Sequence, residues 1–120
     1  MKISASLFLA AVLLAAGGCT TVSEAGYYWG NYPATLYAYQ QDPSPESLAQ
    51  HEQELQRLID YAREKDLKPP PGIQAELGYI EQQRGNDDAA VGYYEAESNT
   101  YPEARVFLER LSSGLKSNEG

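Results

Sequence analysis

Apolar residues recur at steps of three and four along most of the chain, which predicts amphipathic α-helices. The longest predicted helix runs from Glu46 to Lys65, with Ser44 as its N-cap and Pro45 in its first position. Its polar side includes Glu54, which we expect to face solvent. Its apolar side consists of Leu48, Leu55, Leu58, Ile59 and Ala62.

Two further helices are predicted after a proline-rich connector, residues 68–72. The first, Ile73 to Arg84, ends at Gly85, which can take the left-handed conformation that closes a helix. The second begins after Asn86, whose side chain we expect to cap it, and continues to about residue 99. Glu97 is expected on its solvated face. The two segments together predict a helical hairpin.

A last helix is predicted from the spacing of Thr100 and Glu103, which is that of a capping box, with Pro102 in the first turn. Its expected inward residues are Val106, Phe107 and Leu111, and its expected end is near Gly114. A short helix is also predicted near Pro33. The fold class is therefore all-α: a short helix, a long helix, a helical hairpin and a C-terminal helix.

The hairpin carries a pattern of small and aromatic residues: Leu77-Gly78, Gly85-Asn86, Ala90, Tyr94 and Pro102. This pattern resembles the tetratricopeptide repeat, in which small residues stand where the two helices cross. The resemblance implies a close approach at Gly78, although Glu97 stands where the repeat has a small residue. It also implies binding through the first helix of the hairpin, where Gln74, Tyr79 and Gln82 are expected to be available.

The N-terminus has the features of a signal peptide. A positive start at Lys2 precedes an apolar run from Ile3 to Ala16, which is too short to span a membrane as a helix. The run leads to Gly17-Gly18-Cys19, which resembles the lipobox of bacterial lipoproteins. We expect residues 1–18 to be a signal peptide, 19–26 a lipidated tether, 27–113 the helical domain and 114–120 a disordered tail.

The lipobox resemblance implies acylation of Cys19, the only cysteine, and anchoring to a membrane by two or more acyl chains. The alternative is a secreted protein with a free thiol, an unusual arrangement. The residue after the cysteine is Thr20 rather than aspartate, which by resemblance to Gram-negative sorting favours the outer membrane, with the domain facing the periplasm.

The charge of the chain limits its partners. It has 17 acidic and 9 basic residues, for a net charge of −8. Removing Lys2 with the signal peptide leaves 8 basic residues and a net charge of −9. An acidic surface repels phosphates, so neither nucleic acid nor anionic lipid headgroups are expected partners.

Aromatic residues are concentrated between Tyr27 and Tyr39, a segment with five of the ten tyrosines and the only tryptophan. These rings could cover the open side of the hairpin, form a docking surface for a protein, or provide a platform for sugar. The candidate partner-binding residues are Tyr28, Trp29, Tyr32, Tyr37 and Tyr79.

We find no catalytic or metal-binding set in the sequence. His51 is the only histidine, and it lies at the edge of the apolar stripe, where a structural role is expected. The pair Asp87-Asp88 is explained by its position at a helix N-terminus. We therefore expect a protein that is not an enzyme and has no cofactor, metal or small-molecule substrate.

The mature chain as a whole resembles a family of small Gram-negative lipoproteins of unknown function. The similar segments are 27–32 (YYWGNY), 36–37 (LY), 70–73 (PPGI), 75–79 (AELGY) and 101–103 (YPE). The resemblance implies a neighbour similar to the curli secretion channel. We expect a non-enzymatic adaptor or accessory subunit for an envelope protein, with a peptidoglycan-binding or structural lipoprotein as the alternative.

Overall fold

The computed structural model describes residues 26–116 of the chain and confirms the all-α fold. The predicted signal peptide, the predicted lipidation site Cys19 and residues 117–120 of the predicted tail lie outside these residues. Each helix packs against the next one along the chain. The helices are α1 (Tyr32–Gln41), α2 (Pro45–Glu64), α3 (Ile73–Gln83), α4 (Asp87–Thr100) and α5 (Arg105–Lys116), with a 3₁₀ helix at Pro102–Ala104.

Helix α2 begins as the sequence predicts. The Ser44 hydroxyl accepts a hydrogen bond from the Ser47 amide, and the Ser47 hydroxyl accepts one from the Ser44 amide, which closes a capping box. Leu55 and Leu58 are fully buried on its inner side. In the part of the chain that the structure describes, no helix is both long and apolar enough to cross a membrane.

Helices α3 and α4 form the predicted hairpin, and Gly78 lies where they approach. A Cβ at this position would be 2.7 Å from the Tyr94 ring and 3.1 Å from the Ala90 carbonyl oxygen. Gly85 ends α3 with a φ of +79°, the left-handed conformation that the sequence predicts. The missing side chain at Gly78 thus allows the Tyr94 ring to fill the crossing.

Apolar side chains form two clusters on either side of this crossing. One lies between α2 and α3 and includes Leu55, Leu58 and Leu77. The other lies between α4 and α5 and includes Tyr94 and Leu108. The crossing therefore joins two halves of one helical domain.

Two glutamates that were expected to face solvent are buried. Glu97 is 3 % exposed, and its Oε1 accepts a 2.6 Å hydrogen bond from the Gly72 amide at the N-terminus of α3. Glu54 is 7 % exposed, and its carboxylate accepts hydrogen bonds from the Asn31 amide and from Arg57. Each carboxylate satisfies a backbone amide from a segment distant in sequence, which the helical pattern does not show.

The predicted inner face of α5 is confirmed at the half-buried Leu111 and wrong at Val106 and Phe107. Val106 and Phe107 are 63 % and 65 % exposed, whereas Leu108, Ser112 and Leu115 are buried. Ser112 reaches the interior because its hydroxyl donates to the Leu108 carbonyl one turn earlier. The helix ends at Lys116 rather than near residue 114, so residues 114–116 are helical and do not belong to the predicted tail.

Two predicted side-chain caps do not form, although Asn86 holds the N-cap position that the sequence predicts. Thr100 is the last residue of α4 and not the cap of α5, because its hydroxyl donates back to the Ala96 carbonyl. Asn86 is in the N-cap position of α4, but its side chain makes no cap hydrogen bond and donates instead to Glu81. The helix boundaries are close to those predicted, whereas these side chains have other partners.

The helix crossing gives the first testable prediction. Gly78→Ala should lower the free energy of unfolding by about 1–3 kcal/mol, because the new Cβ would press on a buried ring and a backbone carbonyl. Gly92→Ala is the matched control in α4, since its Cβ would meet no atom within 4 Å. It should raise the free energy of unfolding by about 0.5–1 kcal/mol. Urea denaturation measures both, and equal effects of the two substitutions would contradict this account of the crossing.

Candidate functional site

A groove opens between α1, α2 and α3, with a volume of about 380 Å³. Most of its walls are apolar, with Leu36 and Tyr39 from α1, Leu48 from α2 and Ile80 from α3. It is lined by Leu36, Tyr39, Leu48, His51, Glu76, Tyr79, Ile80, Gln83 and Arg84. Its volume is that of a small ligand pocket.

His51 lies at the floor of this groove and is 1 % exposed. Its Nδ1 is 2.8 Å from the Thr35 hydroxyl, and its Nε2 is 2.5 Å from Glu76 Oε1. Both ring nitrogens therefore have partners within the protein. The geometry agrees with the expected structural role, because His51 belongs to α2 and its ring contacts Thr35 of α1 and Glu76 of α3.

Glu76 completes a polar network beneath the groove. Its second oxygen, Oε2, accepts a 2.8 Å hydrogen bond from the Tyr32 hydroxyl. Burial, together with this bond and the charge of Glu76, raises the pKa of Tyr32 to about 12. The network connects α1, α2 and α3, the three helices that form the walls of the groove. The spacing of apolar residues did not identify Glu76 as part of this network, because its partners Tyr32 and His51 lie far away in sequence.

The rim of the groove carries a charged cluster and an exposed ring. Arg84 donates two 2.6 Å hydrogen bonds to Glu52 and one of 3.0 Å to Glu81. Tyr79 is 57 % exposed and lies at the groove wall. The bidentate pair between Arg84 and Glu52 joins the end of α3 to α2, which fixes the width of this side of the groove.

The aromatic segment before α1 lies against other helices. Tyr28 stacks on Tyr61 of α2 with ring centroids 3.9 Å apart, and Tyr27 meets the edge of Tyr101 at 6.2 Å. The ring centroids of Trp29 and Tyr32 are 5.4 Å apart. Tyr27, Tyr28 and Trp29 nonetheless remain about 40 % exposed. The rings thus cover the helices on one side and remain exposed on the other. This arrangement combines two of the predicted roles, packing against the helices and presenting an exposed aromatic surface.

A buried acid attaches this segment to α2. Glu54 accepts a 2.7 Å hydrogen bond from the Asn31 amide. Gly30 has a φ of +45°, and a Cβ there would lie 2.6 Å from the Glu54 carboxylate. Burial alone would raise the pKa of Glu54, but hydrogen bonds from Arg57 and the Asn31 amide outweigh it and hold that pKa below 4.5.

The structure separates the predicted partner-binding residues. Tyr79 lies at the groove, whereas Tyr37 is 63 % exposed on α1 and does not line it. Tyr28 and Trp29 belong to the aromatic segment, and the half-buried Tyr32 supports the groove through Glu76.

Two expected contacts of α3 are not available. Gln74 is buried and donates to the Thr100 hydroxyl of α4. The side-chain oxygen of the half-buried Gln82 accepts a hydrogen bond from the Tyr94 hydroxyl. Both glutamines therefore stabilise the hairpin, and Tyr79 is the one residue of the three that is exposed.

These features define an all-helical domain with an apolar groove, supported by the buried His51 and its half-buried partner Glu76. Across residues 26–116, no group of three or more histidine, cysteine, aspartate or glutamate side chains is arranged to hold a metal ion. The geometry suits the binding of an apolar side chain.

A family model matches residues 27–111, and the chain belongs to that family, described as a domain of unknown function (DUF4810). A search of curated proteins found no match, and neither did a search of solved structures.

The site gives a prediction on pH dependence. The pKa of Glu54 is lower in the folded state than its ordinary 4.5, so its stabilising contribution is present above pH 4.5 and is lost as the pH falls through the folded value. Glu54→Gln should therefore lower the melting temperature most at neutral pH, and the difference from wild type should shrink below pH 4.5.

Thermal melts from neutral to acid pH measure this difference, with Glu95→Gln as the control. Glu95 is exposed on α4, and its replacement should leave the melting temperature nearly unchanged at each pH. A deficit in Glu54→Gln that is the same at every pH would show that Glu54 acts through its shape and not its charge.

Proposed function

We propose that this protein is a lipid-anchored, non-enzymatic adaptor of the outer membrane that binds another envelope protein through the groove. The groove is the single observation that carries the proposal. It is apolar at its walls and has an exposed aromatic ring, Tyr79, at its side. Exposed tyrosines beside apolar pockets are frequent energetic centres of protein interfaces.

The floor of the groove favours binding over catalysis. A general base needs a nitrogen or oxygen that can reach a substrate proton. His51 is buried, and both of its ring nitrogens are engaged by Thr35 and Glu76. The residues at the floor thus support the walls and leave apolar surface for a ligand.

The chemistry of the groove indicates what the partner should present. Its apolar walls fit an aliphatic or aromatic side chain inserted from a helix or loop of the partner. Glu52 and Glu81 at the rim outnumber Arg84, and the whole chain is acidic. A basic residue next to the inserted side chain would therefore match the local charge.

The proposed anchor places the groove near a membrane. The ten residues that follow Cys19, up to Trp29, can span on the order of 30 Å when fully extended. A domain on such a short tether meets partners at the same membrane surface, which favours a neighbouring lipoprotein or channel subunit. The sequence resemblance implies a curli-channel-like complex as such a partner.

The proposal predicts that Tyr79→Ala reduces partner recovery at least about tenfold, since truncation of a binding hot spot costs about 2 kcal/mol or more. The measurement is affinity purification of the tagged lipoprotein from detergent-solubilised outer membranes, with quantitative mass spectrometry. Tyr37→Ala is the matched control, because Tyr37 is as exposed as Tyr79 but lies outside the groove.

Equal recovery from both variants would overturn the groove as the binding site, and no enrichment of any envelope protein would overturn the adaptor function.

The alternative is a peptidoglycan-binding lipoprotein, favoured by the exposed outer face of Trp29. It would instead show co-sedimentation with purified peptidoglycan sacculi that is lost in Trp29→Ala.

A further inference from the structure

The outer side of α5 presents large apolar side chains that are mostly exposed among the residues that the structure describes. Val106 and Phe107 are 63 % and 65 % exposed. They lie away from the side of the helix that buries Leu108 and Leu115 against α4. An exposed pair of large apolar side chains, flanked by charges, is typical of an interaction surface.

The charges beside this pair are arranged symmetrically along the sequence. Glu103 stands three residues before Val106, and Arg110 stands three residues after Phe107. Val106, Phe107 and Arg110 lie close together on one side of α5, and Glu103 lies in the 3₁₀ turn that leads into the helix. Glu103 and Arg110 are both exposed. Among residues 26–116, neither belongs to an ion pair.

We propose that a second copy of this chain binds to this side of α5, with the two α5 helices antiparallel about a two-fold axis between Val106 and Phe107. In that arrangement, Val106 faces Phe107 of the second copy, and Glu103 faces Arg110 of the second copy. The two-fold axis makes each contact occur twice, as in other isologous interfaces.

Charge complementarity selects the second copy and the direction of pairing. A parallel arrangement would place Glu103 opposite Glu103 and Arg110 opposite Arg110, which like-charge repulsion disfavours. The antiparallel arrangement pairs opposite charges at both ends of the apolar pair. The sequence of this helix is therefore complementary to itself in one orientation only, and this surface is separate from the groove.

Charge reversal tests this interface. The full-length protein in detergent is examined by sedimentation velocity over a range of concentrations, with the mass of bound detergent subtracted. Wild type should form a dimer. Glu103→Arg and Arg110→Glu should each raise the dimer dissociation constant about tenfold or more, because each creates two like-charge contacts. The double variant E103R/R110E should restore the wild-type constant.

Glu109→Arg is the matched control, since Glu109 is also exposed on α5 but lies outside the proposed interface. It should leave the dissociation constant unchanged. Phe107→Glu should abolish the dimer, and a thermal melt would show that this exposed position tolerates the change. A monomeric wild type would overturn the proposal. So would a dimer that survives the Phe107 and single charge variants, or a double variant that fails to recover.

Discussion

The fold depends on the close approach of α3 and α4 at Gly78. A side chain at this position would occupy the space of the Tyr94 ring, which is buried and hydrogen-bonded to Gln82. Because α3 also packs on α2, and α4 on α5, the crossing sets the relation between the two apolar clusters. A small domain without an internal disulfide relies on such well-fitted contacts for a single defined structure.

Buried and half-buried polar groups then give this helical framework the shape of its groove. Glu76 accepts from Tyr32 and pairs with His51, so three helices are fixed around the groove by one carboxylate. Glu54 and Glu97 instead fix the segments that precede α1 and α3. Glu54 accepts a hydrogen bond from the Asn31 amide, and Glu97 accepts one from the Gly72 amide. A carboxylate that is buried and bonded positions its partners closely. The groove is therefore already formed, which would reduce the ordering cost of the proposed binding.

The sequence predicts the helices and the Gly78 crossing because both follow from local rules of spacing, capping and size. It fails where a side chain depends on distant residues. Glu97 was assigned to solvent because its partner, Gly72, belongs to a connector that periodicity does not describe. The inner side of α5 was misplaced because Val106 and Phe107 are large and apolar and were expected inward, whereas the side that meets α4 carries Leu108 and Leu115. Ser112 is also buried, but a serine does not count as an apolar position in the sequence pattern. The groove depends on three helices and was foreseen only through Tyr79.

Site-specific photo-crosslinking in cells tests the proposed adaptor function most directly. A photo-reactive amino acid at Gln83, an exposed residue that lines the groove, should give a covalent product with another envelope protein. The same substitution at Gln56, which is exposed on α2 and does not line the groove, is the control and should give none. Equal products from the two positions, or no product with another protein at Gln83, would contradict the account of this groove as a docking site.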